Sequence, residues 1–135
     1  MMRSVQLLSL LAVIASLSIV GGCGSAPSDS RKFGEISGRV TVKGTPLAGG
    51  MQVVFLPASG EKGAFADIGA DGTYKTEAVA GANQVYLVPT VGGDGAYVDP
   101  AKLGVLPQYL DARDSGLTAE VIEGDKKMAD FEVGQ

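Results

Sequence analysis

From Ile36 onward, apolar and polar residues alternate with a period of two: Ile36, Gly38, Val40 and Val42 stand against Ser37, Arg39, Thr41 and Lys43. Successive side chains of a strand point to opposite faces, so this pattern specifies a strand with one buried face. Comparable short runs recur at 51–56, 63–68, 73–76, 82–88, 117–122 and 127–133, the third of the seven being the weakest. Turn residues bound them, including Gly44 and Pro46, Pro57, Asp71-Gly72, Pro89 and Glu123-Gly124-Asp125. Asp71-Gly72 predicts a tight hairpin that sets strand register. The last two runs are expected to pair as a hairpin about Gly124, with Ala129, Phe131 and Val133 facing inward. No stretch after residue 23 sustains a helical period. Seven short strands with frequent turns predict an all-β chain, a seven-stranded antiparallel β-sandwich.

Composition narrows the chemistry. The chain has 135 residues, enough for one domain, and its 20 glycines and 6 prolines suit many tight turns. It has no histidine, which removes imidazole as a base or metal ligand, and its single cysteine removes internal disulfides, Cys-rich zinc sites and iron–sulfur clusters. No catalytic residue, no metal site and no cofactor is therefore expected, and the chain is read as a non-enzyme. A formal charge of −4 gives no basic stripe with which to displace counterions, so no nucleic-acid partner is expected.

The first 23 residues have a different character. Arg3 provides a positive start, residues 5–20 an apolar run, and Val20-Gly21-Gly22 small residues before Cys23, while no acid occurs before Asp29. This order is that of an export signal, read as a signal helix. Its V-G-G-C ending resembles the lipobox of bacterial lipoproteins, which implies cleavage between Gly22 and Cys23 and lipidation of the Cys23 thiol. Two or three acyl chains, at about 0.8 kcal/mol per buried methylene, would hold the protein at a membrane indefinitely. The expected organisation is a signal peptide at 1–22, a lipidated flexible tether at 23–33 and a folded domain at 34–135. The expected location is the cell envelope, at the outer membrane or the periplasmic face of the inner membrane. Arg31 and Lys32 end the tether, where they could meet anionic headgroups.

Within the domain, G-R-V-T-V-K-G-T-P-L-A-G-G-M-Q-V-V-F (38–55), G-A-D-G-T-Y (69–74) and A-G-A-N-Q-V-Y-L-V-P (80–89) resemble the outline of carboxypeptidase-regulatory-like domains. These are small transthyretin-like (prealbumin-like) sandwiches, immunoglobulin-like in outline. The segment 106–133 is similar to the ends of small bacterial lipoproteins built on that domain. Hydrolytic transthyretin-like proteins use histidines and a C-terminal Tyr-Arg-Gly-Ser, whereas this chain lacks histidine and ends Phe-Glu-Val-Gly-Gln. The resemblance implies a non-catalytic binding or structural module with an envelope protein or polymer as partner.

The segment 89–115 is longer than the usual loop of about 4–6 residues, and long loops often carry function. It holds Asp94, Tyr97, Asp99, Asp111 and Asp114 as a possible ligand loop. This alternative makes the chain a small-ligand or calcium receptor, although the acids lack the spacing of a calcium loop. Asp99-Pro100 followed by Gly104 predicts one capped helical turn, with Val105, Leu106 and Tyr109 returning to cover a sheet edge. Tyr86 and Tyr97 are the candidate exposed aromatics, and Glu120 and Glu132 are placed as carboxylates on adjacent strands.

Overall fold

The structure, a computed structural model, describes residues 31–134. The signal segment, Gly22, Cys23 and the tether through residue 30 lie outside the described residues. The described chain is all-β, in two sheets packed face to face, with two single turns of 3-10 helix and no α-helix. The described residues form nine strand elements: β1 (Phe33–Val42), β2 (Thr45–Pro46), β3 (Met51–Pro57), β4 (Ala64–Asp67), β5 (Thr73–Val79), β6 (Gly81–Pro89), β7 (Leu117–Val121), β8 (Lys126–Met128) and β9 (Phe131–Glu132). One sheet is ordered β4-β3-β6-β7, all antiparallel. The other is built around β1.

The alternation of the sequence becomes the two faces of these strands. Ile36 and Val40 of β1, Met51, Val53 and Phe55 of β3, and Val85 and Leu87 of β6 are buried between the sheets. At the centre, the rings of Phe55, Tyr74 and Phe131 lie with centroids 5.7 to 6.4 Å apart, joining β3, β5 and β9. The predicted return of the long loop is observed. Val105 and Tyr109 are buried in the core cluster, and Leu103, Leu106 and Leu110 pack against it.

Three expectations are corrected. The last two runs do not form a hairpin: β7 pairs with β6, whereas β8 and β9 run parallel to β1. The chain crosses from one sheet to the other at 122–125, where Gly124 donates to the Phe33 carbonyl and Glu35 donates to that of Asp125. Asp71-Gly72 likewise does not join paired strands. It turns a corner between β4 of one sheet and β5 of the other, closed by the Gly72 N–H on the Gly69 carbonyl. The final run is also broken in two, since Ala129 and Asp130 interrupt the pairing between β8 and β9. The sheet is therefore mixed, and the tight hairpin lies elsewhere: Lys43 and Gly44, both at positive φ (50° and 80°), join β1 to β2.

The crossing depends on two glycines of β1. An added Cβ on Gly34 would stand 2.1 Å from the Ile122 carbonyl oxygen, and one on Gly38 would stand 1.9 Å from that of Ala129. Backbone cannot yield as a flexible side chain does, so Gly38→Ala is expected to lower stability by about 2–3 kcal/mol, the upper part of the overpacking range. Gly93→Ala meets no atom within 4 Å and should change stability by less than about 0.5 kcal/mol. Urea unfolding of the two variants checks the contrast.

Candidate functional site

A depression of about 680 Å³ lies against the β1 sheet and is lined by Ser37, Arg39, Thr73, Lys75, Met128 and Asp130 among others. Register explains the gathering. Ser37 is opposite Lys75 on β5 and Met128 on β8, and Arg39 is opposite Thr73, so the odd-numbered residues of β1 share one outer face with these partners. Asp130 occupies the break before β9 and accepts from the Arg39 N–H at 2.8 Å. Lys75 is paired with Glu35 at 3.1 Å. Met128 is 76% exposed. Arg39, Lys75, two carboxylates and a thioether on an open surface can hold a polar or charged ligand group. They form no nucleophile and base pair.

Beside this surface Tyr74 turns inward and donates its hydroxyl to the Ala129 carbonyl. Burial, with a smaller contribution from the Asp130 charge, pushes its pKa well above the ordinary phenol value, so it stays protonated. Glu132 is the more consequential acid. Its carboxylate accepts from the Thr41 hydroxyl at 2.8 Å and from the N–H groups of Lys43 at 2.6 Å, Gly44 at 3.1 Å and Gly134 at 3.0 Å. Partial burial opposes its ionisation, but the Gly44 N–H, the Thr41 hydroxyl and the Lys43 and Gly134 N–H groups outweigh that and lower its pKa. It clamps the β1–β2 turn to the end of the chain. Glu120 lies on β7 in the other sheet, so the proposed pairing of Glu120 with Glu132 does not occur.

The acids of the 89–115 segment are dispersed. Asp94 accepts from Ala96 N–H at 3.1 Å in a small hairpin that pairs Val91 with Tyr97. Asp99 caps the 3-10 turn Pro100–Leu103 through Ala101 N–H at 3.0 Å, and Gly104 ends it at φ 81°. Asp111 accepts from Arg113 N–H at 2.7 Å. Asp114 is exposed, its N–H bonded to the Asp111 carbonyl. Tyr97 is 72% exposed and borders neither depression, whereas Tyr86 is half-buried. Asp111 and Tyr86 do meet, with Leu56, Gln84, Leu110 and Arg113, at a second depression of about 410 Å³. Among the described residues no group of three or more His, Cys, Asp or Glu side chains gathers as a metal site would require.

Sequence reasoning missed Arg39, Asp130 and the Glu132 clamp. Alternation placed Arg39 and Glu132 outward, but their partners come from residues about 90 positions away, brought close by the parallel crossing. Ser115 was also missed: it is buried and donates its hydroxyl to the Val85 carbonyl, tying the end of the long loop to β6.

No family model and no curated protein matches the chain. Solved structures with a similar course are a DUF3823 family protein from Parabacteroides merdae ATCC 43184 and the Bacillus anthracis TIE protein. The first is 15% identical with a TM-score of 0.45, covering 76% of this chain and 46% of that one. The second is 13% identical with a TM-score of 0.49, covering 76% of this chain and 16% of that one. This chain thus spans less than half of either protein.

Glu132 sets a pH dependence. Its folded pKa is lowered, so its contribution to stability is complete above the unfolded value, near 4.5, and is lost as pH falls through the folded value. Glu132→Gln is expected to cost about 1–2 kcal/mol at neutral pH, because several charge-assisted bonds are weakened at a partly exposed site. The loss should shrink below pH 4, and denaturant unfolding at pH 7 and pH 3.5 measures both. Tyr74 has the opposite sign: its raised pKa contributes fully below the unfolded value of about 10 and is lost above it. Tyr74→Phe should therefore flatten the decline in stability between about pH 10 and pH 11.

Proposed function

We propose that this protein is a bacterial envelope lipoprotein whose sandwich, transthyretin-like in outline, serves as a non-catalytic binding or structural module. The observation that carries the reading is the order along the chain: a positive start, an apolar run, Val20-Gly21-Gly22, Cys23 and then a short polar segment ending where β1 begins at Phe33. About nine residues then separate the lipid-bearing cysteine from the fold, a root-mean-square reach of roughly 15–18 Å for a flexible chain. A domain so tethered works at the membrane surface rather than in the bulk. The acidic composition favours a protein or polymer partner over nucleic acid. The polar outer face of the β1 sheet, with Arg39, Lys75 and Asp130, offers that partner charge and hydrogen bonds rather than a catalytic constellation.

The second reading, a small-ligand receptor at the long loop, is favoured at one place, where Asp111, Arg113 and Tyr86 border the smaller depression. Asp94, Asp99 and Asp111 already accept from neighbouring backbone N–H groups, which weakens the calcium version. A thermal shift in millimolar calcium that Asp111→Ala removes would favour it; no shift would remove calcium from consideration.

The anchor is tested by intact mass of the protein extracted from its native membrane. The expected species starts at Cys23 and carries a diacylglyceryl group, and Cys23→Ala should stay uncleaved. A chain that begins at Met1 with a free Cys23 thiol would overturn the reading.

A further inference from the structure

The end of the long loop and the outer face of the four-stranded sheet meet at the depression of about 410 Å³, and sheet register explains what they bring to it. Gln84 and Tyr86 stand two apart on β6, so they share one face, and Leu56 of β3 is opposite Gln84. The second 3-10 turn, Pro107–Leu110, and the residues after it form the remaining wall through Leu110, Asp111 and Arg113. Burial divides the lining in two. Leu56, Tyr86 and Leu110 are half-buried and make an apolar floor, whereas Gln84, Asp111 and Arg113 are exposed around it. An apolar base with a few polar groups set about it, at a volume within the roughly 300–1,000 Å³ of small-molecule sites, is the composition of a ligand pocket.

The polar groups are held in place and are not used up. Asp111 Oδ1 accepts the Arg113 N–H at 2.7 Å, and the Asp111 carbonyl accepts from the Ser115 N–H at 3.0 Å. The buried Ser115 hydroxyl donates to the carbonyl of Val85, the residue between Gln84 and Tyr86, so the turn is fastened to the strand that carries the ring. Among the described residues the Gln84 amide, the Tyr86 hydroxyl and the Arg113 guanidinium have no hydrogen-bond or ion-pair partner. Donors of Gln84, Tyr86 and Arg113 and acceptors of Gln84 and Asp111 are therefore left for a ligand. Simple ions fit this set poorly: an anion drawn to Arg113 meets the Asp111 charge, and a cation drawn to Asp111 meets that of Arg113. A hydroxyl both donates and accepts, so a rim of hydroxyls is served by every member. A pyranose carries such a rim together with a face of C–H bonds, which suits a floor of Tyr86, Leu56 and Leu110. We propose that this depression binds a neutral saccharide unit, a proposal that rests on the small-ligand reading given above and names its ligand.

The test is saturation-transfer NMR on the full chain in a detergent without sugar headgroups, with cellotetraose, chitotetraose and mannotetraose as probes. At least one is expected to receive saturation on its ring C–H protons at millimolar concentration. Tyr86→Ala and Arg113→Ala should each weaken that binding about tenfold, the effect of removing a central contact. Lys62→Ala, at an exposed position between β3 and β4, should leave it unchanged, and the thermal transition of each variant reports folding. Arg113 is exposed, so its variant carries the test if Tyr86→Ala does not fold. No transfer to any of the three saccharides, or binding that neither variant weakens, would overturn the proposal. Benzoate and choline, added in the same way, keep the two readings apart. Binding of either ion that Tyr86→Ala removes, with the saccharides inert, overturns the saccharide and retains a small-ligand receptor, whereas no binding by any of the five overturns both.

Discussion

Both edges of β1 are in use along its length, and the rest of the molecule is arranged around that fact. Along one edge it bonds β5 through the register Phe33 with Val79 to Arg39 with Thr73, and then β2. Along the other, Glu35, Ser37 and Thr41 bond Asp125, Ala129 and Val133 of the crossing segment, and the Asp130 side chain takes the Arg39 N–H. The first strand of the described residues is thus held by the last of them. Strand edges left open invite pairing with other molecules, and this arrangement leaves β1 none. It also gives the sandwich many contacts distant in sequence, the kind of topology that folds more slowly than one built from local contacts.

The crossing also shapes the candidate site. Because β8 and β9 lie beside β1, Met128 and Asp130 reach the face that carries Ser37, Arg39 and Lys75, and Glu132 reaches the Lys43-Gly44 turn. Charge and hydrogen bonding collect on the outer face of the β1 sheet, whereas the outer face of the other sheet mixes Phe65, Val54 and Tyr86 with Gln52, Asp67 and Gln84. The long loop serves mainly to close the core through Val105, Tyr109 and Ser115.

Much of this was legible from residue order. Alternation located the strands and identified Phe131 and Val133 as core, and Asp99, Pro100 and Gly104 announced a capped turn that is present as a 3-10 turn. Those signals are local: side-chain period, missing donors and positive φ act within a few residues. What was not legible is which strand lies beside which. Glu123-Gly124-Asp125 reads equally well as a hairpin or as a crossover, and the choice is made by Gly34 and Gly38, about 90 residues earlier, whose missing side chains leave room for the Ile122 and Ala129 carbonyls. The depression on the β1 sheet followed the same rule, since Arg39 and Asp130 carry no spacing signal. The aspartates of the long loop were conspicuous by their number, yet the bonds of Asp94, Asp99 and Asp111 close their own turns.

The C-terminal segment 126–133 is an integral partner of β1 rather than a hairpin partner of β7. Hydrogen exchange of the intact protein, followed by mass spectrometry of peptides covering 33–42, 117–121 and 126–134, distinguishes the two pairings. The amides of Ala129 and Val133 should exchange together with those of β1, at the rate of global opening, and Gly38→Ala should accelerate both segments to the same extent. Fast exchange of 126–134 while β1 stays protected, or acceleration shared with 117–121 but not with 33–42, would show that the segment is not held by β1.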